Sequence, residues 1–531
     1  MSLELVTWEQ WIEWAGSESP SYTRMPYVEC YALPDSRIPS WEAAWTDASA
    51  AGSFVLESGK GGRYSYLGLT PHATLRGKGH TAEQRRLDAA GAIALTGKPL
   101  DVIRRWMEEY RSPRLPNLPP FTGGCVGYLS YDLIRSLERL PSLSADDPSL
   151  PDYWLALYDE IWVLDYEKHL LYCCVHERIE QDGPTKGSES ILRERYERAA
   201  KRTETMKRRW DKFMEHTEFR YEADRRSRRW ADHSAGNRLE VDWTQWPEFR
   251  PSLSREAFIH AVEKIRDYIG QGDVFQVNLS VRQSIPQTSA PEQVYEWLRV
   301  INPSPYMGML RFPELALVSG SPELLVKLEG SRLETRPIAG TRPRGSSAEE
   351  DRRLADELIG HEKERAEHIM LVDLLRNDLG RVSRYGTVRV DELMTIESYS
   401  HVMHIVSHVS GELATGRNAF DAIAAIFPGG TITGAPKIRT MEIIEELEPV
   451  RRGAYTGSIG WIDYNGNMEL NITIRTLVVH AGMCHIQAGA GIVIDSVPER
   501  EYVETLNKAK ALWKAMEYAR DAGQIRGSDA Q

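Results

Sequence analysis

The stretch 468–512, MELNITIRTLVVHAGMCHIQAGAGIVIDSVPEREYVETLNKAKAL, decides the fold class. Its segments 468–480 and 485–494 read as strands, and the charged pattern after Pro498 reads as a terminal helix. Working back towards the N-terminus, strand-like and helix-like segments alternate: YTGSIGWIDY, APKIRTMEIIEELEP, DAIAAIFP, a long helix through Glu364, LALVSGSPELLVKLEG, YMGMLRF, PEQVYEWLRVINP, FQVNLSVRQS and the helix SREAFIHAVEKIRDYIGQGD. Before residue 190, FVLES, YSYLGL, CVGYLSYDL, IWVLDY and HLLYCCVHER suggest antiparallel strands, with DVIRRWMEEYR a helix among them. This pattern predicts an α+β fold with a large sheet. It divides the chain into an N-terminal lobe (1–190), a charged helix with a linker (191–250) and a second lobe (251–531).

A length of 531 residues exceeds one typical core and suits one very large domain or two unequal lobes. With 41% hydrophobic residues, 15 Trp and 23 Tyr, the composition is that of a globular protein, and no apolar run approaches a membrane span. The start, MSLELVTWEQWIEWAG, lacks the basic and apolar regions of a signal peptide, so a cytoplasmic location is expected. Cys30, Cys125, Cys173, Cys174 and Cys484 show no CxxC spacing and read as unpaired thiols of a reducing compartment. A net charge of −12 argues against nucleic-acid binding. Residues 193–230, with 14 Lys/Arg against 8 Asp/Glu, read as an exposed helix of mixed charge leading into the linker.

Two Glu-x-x-Glu pairs, Glu364/Glu367 and Glu501/Glu504, each put two carboxylates on one helix face. One such pair is ordinarily a solvated face. Four carboxylates converging from two helices would need a hard cation such as Mg²⁺, with some waters retained, to hold an anionic ligand. GGTITGAPK (429–437) has the glycines of a phosphate loop but not its Lys-[Ser/Thr] ending, and GQGD (270–273) lacks the third glycine of a dinucleotide fingerprint. Arg475, inside an apolar strand, reads either as an exposed or ion-paired position or as a carboxylate clamp. Gly489 and Gly491 mark either a bulge or a place where an anion approaches backbone N–H groups. His404 fits a core histidine, and Tyr455 and Thr431 fit packing and turn positions.

Read together, ETRPIAGTRPRG, KERAEHIMLVDLLRNDLGRV, SHVMHIVS, FPGGTITGAPKIRTMEIIEELEP, YTGSIGW, NITIRT and AGAGIVIDSVPEREYVETLNKA are more specific. In this order they closely resemble the chorismate-utilising enzymes over nearly the whole chain. The resemblance implies the two-lobed fold of anthranilate synthase component I, with sheets packed face to face and helices outside. It implies a Mg²⁺ site at Glu364, Glu367, Glu501 and Glu504 for the ring carboxylate of chorismate. Tyr455 and Arg475 would hold the enolpyruvyl carboxylate beside the backbone donors of Gly489 and Gly491. Gly340 and Thr341 of PIAGT would bind substrate, and Thr431, His404 and Glu323 would line the ring. Glu323 and His404 are then the candidate general acid and base.

Gln276 stands where water-adding members of the family carry a lysine base, so the resemblance implies ammonia as nucleophile. No cysteine lies in a glutaminase-like turn, so a separate glutamine amidotransferase subunit is implied. Many aminodeoxychorismate synthases carry a nucleophilic lysine in PIxGT, where this chain has Ala339. That residue favours anthranilate synthase, whereas GGTITGAP and the segments around YTGSIGW and FQVNLS resemble aminodeoxychorismate synthase component I, in its alanine form. The expectation is aminodeoxychorismate synthesis on the path to p-aminobenzoate and folate. The alternatives are anthranilate synthesis and a catalytically dead amidotransferase-binding homologue. The resemblance also implies a tryptophan pocket between Leu56, Glu57, Ser58 and the run Asn302, Pro303, Ser304, Pro305, Tyr306, Met307.

Overall fold

The computed structural model describes residues 3–16, 22–33, 38, 40–59, 62–179, 189–234, 239–241, 246–345, 347–398 and 402–528, the side chains of 233, 234, 363 and 522–528 aside. Much of the expected linker, 235–238 and 242–245, lies outside the described residues. The fold is α+β. Among the described residues, two antiparallel sheets of thirteen and twelve strands carry it. In the larger sheet the consecutive neighbours include Ser53–Glu57, Tyr306–Phe312, Leu315–Ser321, Thr476–His480, Met483–Ile492 and Gln276–Pro286. In the smaller they include Ile338–Pro343, Val402–Glu412, Arg332–Arg336, Leu324–Glu329, Met468–Asn471, Ser458–Asp463 and Gly124–Leu129. Each sheet thus draws strands from both sides of residues 191–250.

The sheets pack face to face through aromatic contacts. Trp154 of the smaller sheet stacks on Phe312 of the larger with ring centroids 4.7 Å apart, and Trp461 reaches Tyr66 at 6.2 Å. Such rings bury large areas and fix the distance between layers. Helices cover the outer faces: the last helix packs on Met483–Ile492 and on Pro291–Ile301.

Two expected segments split. LALVSGSPELLVKLEG forms Leu315–Ser321 in the larger sheet and Leu324–Glu329 in the smaller, and MELNITIRTLVVH likewise forms Met468–Asn471 and Thr476–His480. The chain crosses between sheets at residues 322–323 and 472–475, and the second crossing turns on Arg475 at φ +49°. Glu323 and Arg475 therefore lie where the two layers meet.

Residues 189–234 are not an exposed helix. They form two helices, Glu189–Glu215 and Thr217–Ser234, and Leu192, Tyr196, Ala199, Thr203, Met206 and Trp210 are buried along the first. Spacings of three and four give this helix an apolar stripe that packs on the strand Leu170–Arg178, while the charges occupy its other faces. Among the described residues no helix is long and apolar enough to cross a membrane.

Candidate functional site

Gln276 opens the strand Gln276–Pro286, which pairs with Met483–Ile492 so that Asn278 faces Gly491 and Ser280 faces Gly489. The glycine at 491 makes room for the Gln276 amide: a Cβ there would lie 2.3 Å from Nε2. Nε2 donates to Glu367 Oε1 at 2.8 Å, while the amide oxygen is buried with no hydrogen-bond partner among the described residues.

On the smaller sheet, Thr341 and His404 are register partners. His404 Nδ1 lies 3.0 Å from Gly340 O and 3.1 Å from Thr341 Oγ1. A carbonyl can only accept, so Nδ1 carries the proton and Nε2 is left as the basic nitrogen. Burial, reinforced by Arg475, lowers His404 to about 4, against the hydrogen bond it donates to Gly340 O and the charge of Glu397. Gly340 has φ +63°, and a Cβ on it would come within 2.9 Å of Leu358 and 3.0 Å of Glu364 Oε2.

At the crossing, Glu323 is buried, and loss of water raises its carboxyl to about 7. Thr431, Arg475 and Lys508 act against that rise. The Thr431 hydroxyl is buried without a well-formed hydrogen bond of its own, so it acts on Glu323 as a nearby dipole. Tyr455 is 8% exposed, with the Arg452 guanidinium 5.5 Å from its ring centroid. Arg475 is half-buried, and its charge is felt at both Glu323 and His404. Lys508 was not read from the sequence as a site residue. Its Nζ donates to Gly489 O at 3.0 Å and pairs with Glu504 at 2.9 Å. Its position four residues after Glu504, on one helix face, is the signal that could have found it.

The four glutamates sit on two helices, Glu362–Gly380 and Pro498–Ser528, as their spacing predicts. Glu364, Glu367 and Glu501 are half-buried, whereas Glu504 is 53% exposed. Carboxylate oxygens suit a hard divalent cation. Other groups already engage these carboxylates: Glu364 lies 3.4 Å from Arg342, Glu367 holds Gln276, and Glu504 holds Lys508. Among the described residues no three His, Cys, Asp or Glu side chains are gathered for a metal. The donor chemistry fits Mg²⁺, but the carboxylates do not form a ready-made cage.

Leu56, Glu57, Ser58, Pro305, Tyr306 and Met307 line one pocket with Tyr64, Tyr66, Trp461 and Glu469. Pairing of Met307 with Glu57 brings the two segments together. Glu57 accepts from Arg299 Nε at 2.8 Å and from the Tyr295 hydroxyl. Asn302 and Ser304 bond to each other at 3.1 Å, and Ser304 O accepts from Gly59, beside the pocket. Pro303 joins them.

A crossing between two face-to-face antiparallel sheets, bearing a buried carboxyl, a neutral imidazole and an arginine beside a glycine-rich strand, is an arrangement for an anionic substrate. The chain belongs to the chorismate binding enzyme family, whose model matches residues 52–514. Among curated relatives it is 48% identical over 472 residues to aminodeoxychorismate synthase component 1 of Bacillus subtilis, covering 89% of this chain and 93% of that protein. It is 46% identical over 502 residues to anthranilate synthase component 1 of Thermus thermophilus, covering 93% and 98%. Among solved structures, anthranilate synthase component I from Streptococcus pneumoniae superposes with a TM-score of 0.70 at 32% identity, covering 91% of this chain and 99% of that one.

Proposed function

We propose that this chain converts chorismate and ammonia to 4-amino-4-deoxychorismate. The observation that carries the ammonia reading is Gln276: its amide oxygen is a buried acceptor without a partner among the described residues, which an N–H of ammonia would satisfy. A lysine there would instead serve as a base towards water.

Tyr455, Arg475 and the backbone at Gly489 and Gly491 would hold the enolpyruvyl carboxylate, with Gly340, Thr341 and Thr431 against the ring. Glu323, about half protonated at neutrality, gives its proton to the departing ring hydroxyl, and His404 Nε2 takes one from the incoming amine. Glu364, Glu367, Glu501 and Glu504 would hold Mg²⁺, whose charge when bound orients the substrate's carboxylate and eases loss of the hydroxyl.

Ammonia would come from a glutamine amidotransferase subunit. All five cysteines are buried with their thiols pushed up, so none is a poised thiolate nucleophile. The B. subtilis relative and the GGTITGAP segment support the aminodeoxychorismate product. Ala339, 8% exposed in its strand, supports anthranilate as the second reading, because it supplies no nucleophilic amine. Product analysis with chorismate, Mg²⁺ and ammonium separates them. Aminodeoxychorismate that yields p-aminobenzoate only after a lyase is added is expected; anthranilate and pyruvate formed without one would overturn the assignment.

The pocket at Leu56–Ser58 and Pro305–Met307 supports a tryptophan site as a further reading, with Glu57 fixed in place by Arg299. Calorimetry with tryptophan tests it, and no heat of binding at millimolar ligand would exclude it.

A further inference from the structure

Two residues other than glycine adopt left-handed backbone conformations next to each other in the site: Thr456 at φ +59° and Arg475 at φ +49°. A β-branched residue there is an outlier that persists only where its surroundings impose it. The turn carrying Tyr455 is stitched to the crossing carrying Arg475: Thr456 N–H donates to Thr473 O at 2.8 Å, and Thr473 N–H to Gly457 O at 3.0 Å.

Against this turn lies an ion pair of Glu448 and Arg452, their side chains 3% and 1% exposed. Arg452 uses all five N–H donors. Nε and Nη2 reach Glu448 at 2.9 and 2.7 Å, Nη2 also reaches Asn278 O at 2.8 Å, and Nη1 reaches Ile432 O at 2.8 Å and Thr456 Oγ1 at 3.3 Å. Glu448 in turn accepts from the N–H and hydroxyl of Ser280, opposite Gly489, at 2.9 and 2.8 Å. No donor of Arg452 is left for a ligand. Its contacts go to the neighbours of Thr431 and Tyr455 and to the partner strand of Gly489 and Gly491. A buried ion pair is weak evidence for stability, because desolvation offsets the attraction, but a fully satisfied network specifies one geometry.

We propose that Arg452, paired with Glu448, is a positioning residue that holds the strained 455–457 turn, and through it Tyr455 and Arg475, in the arrangement that receives a substrate carboxylate. The inference rests on the chorismate reading above, and not on which amine product is formed.

Arg452→Lys keeps the charge but cannot span the glutamate and two carbonyls with a planar fork. Thr456→Gly removes the left-handed strain together with the hydroxyl that meets Arg452. If the pair positions the carboxylate clamp, each variant raises KM for chorismate by about tenfold while kcat stays within about threefold, the signature of lost substrate binding. Thr456→Gly leaves one buried Arg452 N–H without its acceptor, so both variants are expected to lower the melting temperature and affinity is the discriminating readout. A purely structural role would lower melting temperature and leave KM unchanged. Calorimetric titration of chorismate separates the two levels of inference. A wild-type protein that binds no chorismate fails the functional reading. A wild type that binds it, with both variants binding within twofold, overturns the positioning role. Should Arg452→Lys not fold, Thr456→Gly carries the test alone.

Discussion

Glu323 has lost its water at the crossing between the sheets, and the opposing influences of Thr431, Arg475 and Lys508 do not restore its acidity. Its folded value of about 7 lies above that of a free carboxyl, so the protonated donor survives to neutrality and is lost as pH rises through 7. His404, lowered to about 4, is neutral across that range and contributes no limb near neutrality. Ammonia-dependent turnover, at fixed free NH₃, is therefore expected to fall above about pH 7, and Glu323→Gln to remove this limb together with roughly 10²–10⁴-fold of kcat. A limb unchanged in Glu323→Gln would reassign the acid. Gly491→Ala tests Gln276: the added methyl meets a flexible amide, so melting temperature barely moves, while kcat/KM for ammonium falls about tenfold. Equal efficiency in wild type and variant would remove Gln276 from ammonia placement. These residues were legible through their motifs rather than their periodicity, since a buried histidine and an arginine in an apolar strand fit a bland core equally well. The partners of the glutamates were less legible, because Arg342, Gln276 and Lys508 meet them only through tertiary folding.

At the scale of elements, the helix Glu189–Glu215 shows how charge can hide an amphipathic stripe. Residues 192, 196, 199, 203, 206 and 210 recur at intervals of four and three, yet the charges between them suggested a solvated helix. Trp210 is 4% exposed, so Trp210→Ala should cost about 3–5 kcal/mol, read as a lower urea midpoint at an unchanged slope. A midpoint shift below about 1 kcal/mol would return the helix to the surface. The split strands were illegible for a different reason. Residues 468–480 read as one unbroken strand-like segment without glycine or proline, and nothing in it marks the left-handed turn at Arg475 that sends its two halves into different sheets.

For the whole molecule, the charged segment 191–250 separates the sequence into two parts but does not separate the sheets. Ser53–Glu57 pairs with Tyr306–Phe312, and Gly124–Leu129 pairs with Ser458–Asp463, so residues 1–190 on their own would expose central strand edges of both sheets. Unpaired edges of that length carry unsatisfied N–H and C=O groups and invite aggregation. The aromatic stacking of Trp154 on Phe312 crosses the same divide, joining the halves through side chains as well as backbone. A fragment of residues 1–190 is therefore expected to be unfolded or aggregated. The intact chain should give one calorimetric transition whose van't Hoff and measured enthalpies agree, because neither half can keep its sheets after the other has melted. Two resolved transitions, with a soluble 1–190 fragment reproducing one of them, would show that the shared strands do not couple the halves. Turnover bears on the same point: the crossings that carry Glu323 and Arg475 lie between these layers, so activity should be lost in the same temperature interval as the single transition and not before it.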